Sequence, residues 1–134
     1  MPLKPFDHRV RVYFEDTDAG GIVFYANYLK FFERARTEWL RSFGFGQQTM
    51  RDETGLIFVV ASTAVRYLQS ARLDDELRIT VEPRDVGRAS MGFFQQAWRG
   101  DALLTEGEIR IGCVDALTLK TSRIPQAILS AIPQ

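Results

Sequence analysis

Residues 15–21, EDTDAGG, set three carboxylates and two glycines in seven positions, and the aromatic run IVFYANY follows at once. A carboxylate held as the anion can act as a base toward water or attack an activated acyl carbon directly. Free N–H groups at a helix start carry partial positive charge, which favours a nearby anion and can hold a developing oxyanion. Gly20 and Gly21 let the backbone approach a ligand closely. Phe24 and Tyr25 are placed to wall such a site and exclude water. The segment thus offers a base or nucleophile, an oxyanion donor and an apolar wall, a set suited to an activated ester and above all to a thioester. The same residue types also fit a plain turn that caps a helix. On types alone Glu15, Asp16 and Thr17 read as turn or strand-end residues.

Other catalytic systems find little support. His8 is the only histidine, at the start of the first strand beside Asp7, so any Ser-His or Cys-His system has to use it. No G-x-S-x-G elbow, Walker A or G-x-G-x-x-G pattern is present. One His and one Cys do not make a soft metal site, and no metal or cofactor is expected. Cys113 lies among Ile109, Ile111 and Val114 and reads as a packed strand residue.

Seventeen basic residues balance seventeen acidic ones with no basic block, so nucleic acid is not an expected partner. The N-terminus lacks a signal-like apolar run, and no stretch approaches the roughly 18 apolar residues of a membrane span. A cytoplasmic location is the expectation. At 134 residues the length fits a single domain, residues 1–134.

The elements that must position the loop follow from periodicity. Residues 9–15 alternate, with Val10, Val12 and Phe14 on one face, and predict a strand. From Val23 to Phe43 the spacing turns helical: Phe24, Tyr28, Phe31, Phe32, Ala35, Trp39 and Phe43 form an aromatic stripe. Arg34–Glu38 and Glu38–Arg41 are expected pairs on its polar side. Residues 47–54 predict a short helix or turn. Four strands follow, over residues 56–69, 74–86, 89–100 and 103–119, with Pro83 suggesting a bend or an edge. Ile124, Ile128 and Ile132 suggest a short docking helix. One long helix and five antiparallel strands predict an α+β fold in which the sheet curls around the helix. Edge-to-edge dimerisation would cover the open strand and the unsealed part of the sheet.

VRVYFEDTDAGGIVFYANYLKFFERARTEWLR, residues 10–41, closely resembles the hot-dog-fold acyl-CoA thioesterases of the 4-hydroxybenzoyl-CoA thioesterase class, nearest to the Tol-Pal-associated group. The likeness continues through FVV at 58–60, SARLDDEL at 70–77 and CVDAL at 113–117. It implies a hot-dog fold, a homodimer or a homotetramer built as a dimer of dimers, and active sites at the subunit interface. It further implies metal-free hydrolysis of acyl-CoA or acyl-carrier-protein thioesters, of short, medium or aromatic acyl groups. By the same resemblance Asp18 serves as nucleophile or general base, and the backbone N–H of Tyr25 polarises the thioester carbonyl. Many Tol-Pal-associated members carry histidine where this chain has Tyr25. The backbone role survives that exchange, whereas an imidazole's acid–base role does not. Arg66, Arg72, Arg84 and Arg88 are candidates to meet the phosphates of CoA, and Ser90 to hydrogen-bond in the pocket. A competing expectation is a module that binds acyl carrier protein in a lipid-synthesis or Tol-Pal assembly, with vestigial hydrolysis. A hot-dog dehydratase or isomerase is a third, disfavoured by the lack of a histidine beside the helix start.

Overall fold

The computed structural model describes residues 6–133. Strand β1 (Phe6–Arg11) leads through the acid loop into α1 (Asn27–Arg41) and a second helix, α2 (Gln47–Thr54). Strands β2 (Leu56–Tyr67), β3 (Glu76–Arg84), β4 (Ser90–Arg99) and β5 (Ala102–Asp115) follow, and α3 (Gln126–Ala131) closes the chain. All pairings are antiparallel, in the order β1-β3-β4-β5-β2. The five-stranded sheet with its long helix is the α+β arrangement expected.

The core forms because one phase of each strand is apolar. Leu77, Ile79 and Val81 of β3, Met91, Phe93 and Ala97 of β4, and Leu104, Ile109, Ile111 and Cys113 of β5 are buried together. The α1 stripe of Tyr28, Phe31, Phe32, Ala35 and Trp39 lies in the same cluster. Close packing of helix on sheet depends on Gly107: a Cβ there would stand 3.3 Å from the Phe32 ring and 3.2 Å from Val65. Cys113 is fully buried, and burial raises its thiol pKa. Ile124, Ile128 and Ile132 are buried, so the C-terminal docking helix forms as expected.

Three boundaries differ from the sequence reading for a local reason. The first strand ends at Arg11, and Phe14 is 82% exposed rather than on the buried face. There the Tyr13 N–H donates to the Asp16 carboxylate at 2.8 Å and turns the chain into a single 3-10 turn. The long helix starts at Asn27, not Val23, because the Val23 N–H donates to the Ala71 carbonyl and the Phe24 N–H to the Asp16 carbonyl, both at 2.9 Å. The last strand stops at Asp115, whose carboxylate accepts the Leu117 and Thr118 N–H groups and turns the chain. β3 is an interior strand, and Pro83 pairs with Phe93 beyond Val81, the last β3 residue with a described β1 partner. Of the two pairs expected on α1, Glu38–Arg41 forms, whereas Arg34 lies 5.9 Å over the Phe31 ring.

β1 and β2 are the sheet's two edges. β2 is twelve residues long, carries no charge before Arg66, and leaves Val59, Val60 and Tyr67 exposed. Such an edge is a template for another strand.

Candidate active site

The acid loop is a small hairpin with its acids in different settings. Thr17 bridges Val23, and the Asp18 N–H donates to the Ile22 carbonyl at 2.9 Å. Asp16 is 4% exposed. One of its oxygens accepts the Tyr13 N–H and the other the Asn27 side-chain amide, each at 2.8 Å. Both carboxylate oxygens are therefore occupied, and Asp16 ties the loop to the first turn of α1. It is the structural acid that its turn position suggested.

Asp18 is exposed. Its Oδ1 accepts the Gly20 N–H at 2.8 Å, while Oδ2 has no hydrogen-bond donor among the described residues. A Cβ at position 20 would lie 3.2 Å from Oδ1, so glycine there gives the carboxylate its seat. Gly21 adopts φ +79°, a left-handed conformation that costs other residues on the order of 1–2 kcal/mol. The two glycines thus shape the loop around one half-free carboxylate.

Phe24 and Tyr25 stand just ahead of the helix instead of within it. They are 43% and 61% exposed, with ring centroids 4.9 Å apart. The Phe24 N–H is used by Asp16, but the Tyr25 N–H donates to no acceptor among the described residues. Tyr25 also meets Tyr67 edge-on at 5.9 Å, and Tyr67 in turn lies 5.8 Å from Tyr28. The Tyr28 hydroxyl accepts the Ala71 N–H at 3.2 Å. Burial raises the pKa of Tyr28 and Tyr67, and Tyr67 is raised further by the neighbouring phenols. These phenols stay neutral near pH 7. Tyr67 ends the free edge strand, so the loop and that edge meet at one point.

Of the basic candidates, Arg72 lies beside the loop, bridged through its backbone to Ile22. Its N–H donates to Asp75, which also accepts from Arg99 at 3.0 Å. Burial alone would raise the Asp75 carboxyl, but these donors and the two guanidinium charges outweigh it and leave it below the usual range. Arg66 pairs with Glu106, whose carboxyl that contact lowers. Arg84 lies 4.3 Å over the Phe94 ring. Within one chain the structure does not bring Arg88 or Ser90 to the loop. Ser90 pairs with Gly112, while Tyr67 lies level with Thr105 and Ala97. Seven residues along β4 separate the two points, about 23 Å. The Ser90 hydroxyl instead accepts from Arg110 at 2.7 Å.

Sequence reasoning missed Arg36 and Gln95. Gln95 is fully buried between Phe93 and Ala97, its amide donating to the Phe32 and Thr80 carbonyls, and its oxygen accepts Arg36 at 2.9 Å. The signal was a polar residue in the apolar phase of each element: Gln95 in the alternation from Met91 to Ala97, and Arg36 between Phe32 and Leu40 at i,i+4 spacing.

The model of the thioesterase-like superfamily matches residues 12–132, nearly the whole described chain. This chain belongs to that superfamily. Within it, the chain is 44% identical over 126 residues to the acyl-CoA thioesterase YbgC of Haemophilus influenzae, covering 94% of this chain and 93% of that one. It is also 44% identical over 135 residues to the acyl-CoA thioester hydrolase YbgC of Escherichia coli O157:H7, covering both chains entirely. A probable thioesterase from Bartonella henselae superposes with a TM-score of 0.86 at 31% identity, over 91% of this chain and 100% of that one. The thioesterase superfamily's hot-dog architecture is therefore the fold of this chain. No described helix is long and apolar enough to cross a membrane.

Proposed function

We propose that this protein hydrolyses acyl-CoA thioesters, with Asp18 as general base and the Tyr25 N–H as oxyanion donor. The observation that carries the reading is the half-free Asp18 carboxylate in a loop that also presents an unused backbone N–H beside the aromatic wall. With Oδ1 held by Gly20, Oδ2 is free to accept a proton from water. That water attacks the thioester carbonyl carbon, and the Tyr25 N–H stabilises the resulting oxyanion. Collapse breaks the C–S bond and releases the acid and the CoA thiolate, which takes the proton from Asp18. A positioned base contributes typically 10²–10⁴-fold.

The working unit in this reading is at least a dimer formed by pairing β2 with β2 of a second copy. Eight of the twelve edge residues are exposed, Val59, Val60 and Tyr67 among them, and none before Arg66 is charged, which fits that use; Tyr67 brings the edge to Tyr25. Arg72, beside the loop, is the basic residue placed to meet a CoA phosphate. Short, medium and aromatic acyl groups are the candidate substrates. The test is an acyl-CoA panel on the wild type and Asp18→Asn. Turnover of some acyl-CoA, reduced at least 100-fold by the variant, supports the reading; turnover of none overturns it. Single turnover in oxygen-18 water should label the released acid and leave Asp18 unlabelled. Label in Asp18 would replace the base by a nucleophile.

A further inference from the structure

A cavity of 180 Å3 lies between α1 and the sheet, away from the acid loop. Its walls include Trp39, Phe58, Met91 and Ile111, with Arg36 and Glu33 as the charged members. A benzene-sized group needs about 150 Å3. Arg36 is half-buried, and burial lowers its pKa, an effect the nearby Glu33 charge partly offsets. Its one acceptor among the described residues is the neutral oxygen of Gln95. It forms no ion pair among them. Glu33 is exposed and accepts the Thr37 hydroxyl at 2.7 Å. A desolvated guanidinium has five donors, and a forked carboxylate is the group that best fills them. Arg36 therefore faces an apolar chamber without an ion pair among the described residues, while Glu33, the acid that shares the chamber wall, is engaged by the Thr37 hydroxyl.

Phe58, Val59 and Val60, in the first half of the edge strand, form one wall of the chamber. Antiparallel self-pairing of β2 about its midpoint sets these residues opposite Val65, Ala64 and Thr63 of the second copy. Tyr67, the contact of Tyr25, is then two to four residues further on, about 7–13 Å. Within one chain Arg36 lies nine residues along α1 from its first residue, Asn27, about 14 Å.

We infer that this chamber takes the far end of the acyl group and that Arg36 selects acyl groups ending in a carboxylate, making Arg36 a specificity residue for ω-carboxyacyl thioesters. The inference rests on the hydrolase reading of Asp18 for its context, and its test is built on binding so that the two can fail separately. The affinities of adipyl-CoA and hexanoyl-CoA, equal in chain length, are measured by calorimetry on Asp18→Asn and on Asp18→Asn with Arg36→Met. Adipyl-CoA should bind the first protein about 10- to 100-fold more tightly than hexanoyl-CoA, the scale of a charge-assisted hydrogen bond. The double variant should lose that ratio, Arg36→Lys should keep part of it, and Arg34→Met, on the exposed side of α1, should keep it whole. Equal affinities in Asp18→Asn, or a preference that survives Arg36→Met, would overturn the assignment. The first comparison needs no change at Arg36 and stands even if Arg36→Met does not fold. A wild type that cleaves no acyl-CoA of the panel yet shows the binding ratio would refute the hydrolase reading and leave the Arg36 assignment standing.

Discussion

Asp16→Asn and Asp18→Asn, two residues apart, should fail in opposite ways. The Asp16 oxygens face two donors, the Tyr13 N–H and the Asn27 amide, in a site 4% exposed. Asparagine keeps the volume but has one oxygen, so an NH2 must face a donor. Losing one charge-assisted bond, weakening the other and burying an unpaired donor adds up to about 2–4 kcal/mol. That is a large share of a typical stability of 5–15 kcal/mol. For a chain of this size it lowers Tm by roughly 6–18 °C. Asp18 is exposed, and the asparagine oxygen can still accept the Gly20 N–H, so Asp18→Asn should change stability by less than about 0.5 kcal/mol. The assay pairs denaturation followed by circular dichroism, at one protein concentration because assembly shifts Tm, with acyl-CoA turnover. Wild-type stability in Asp16→Asn, or unfolding in Asp18→Asn, would refute the division of roles.

Tyr67→Ala removes the edge-on partner of Tyr25. Aromatic pairs of this kind contribute about 0.5–1.5 kcal/mol, so kcat/KM should fall roughly 2- to 12-fold with the fold intact, as steady-state kinetics will report. Gly107→Ala pushes a methyl toward the Phe32 ring and should cost about 1–3 kcal/mol in chemical denaturation. Val60→Arg places a charge on the apolar edge and should shift the protein toward monomer in sedimentation, with activity falling in step. Asp75 has a carboxyl lowered in the folded state, so its contribution is present above the ordinary carboxylate pKa near 4 and fades as pH falls through the lowered value. Stability measured from pH 7 down to pH 3 should therefore decline less steeply in Asp75→Asn than in the wild type.

What was legible in the chain was whatever a period could carry. Leu77, Ile79 and Val81 announced β3, and the stripe from Tyr28 to Trp39 announced α1, because burial of one face needs nothing beyond that spacing. The start of α1 was hidden because tertiary hydrogen bonds set it: Phe24 keeps helical phase with Tyr28, yet its N–H is taken by the Asp16 carbonyl. Phe14 kept the strand's alternation past its end for the same reason, since a carboxylate two residues later turned the chain. Gly20 and Gly21 were readable from type within one loop, but type left Asp16 and Asp18 equivalent, and only the family resemblance singled out Asp18. Arg36 and Gln95 were not, because their meaning comes from contact across 59 residues of sequence.

The Asp16–Asn27 clasp spans eleven residues, whereas β1 must wait for a partner strand some seventy residues away. Closing a short loop sacrifices less chain entropy than closing a long one. Nucleation at the clasp can thus precede sheet closure, so the acid loop takes its shape while the barrier to the native state is still ahead. Mutations within the clasp should slow refolding, and mutations in the β1–β3 seam should chiefly hasten unfolding.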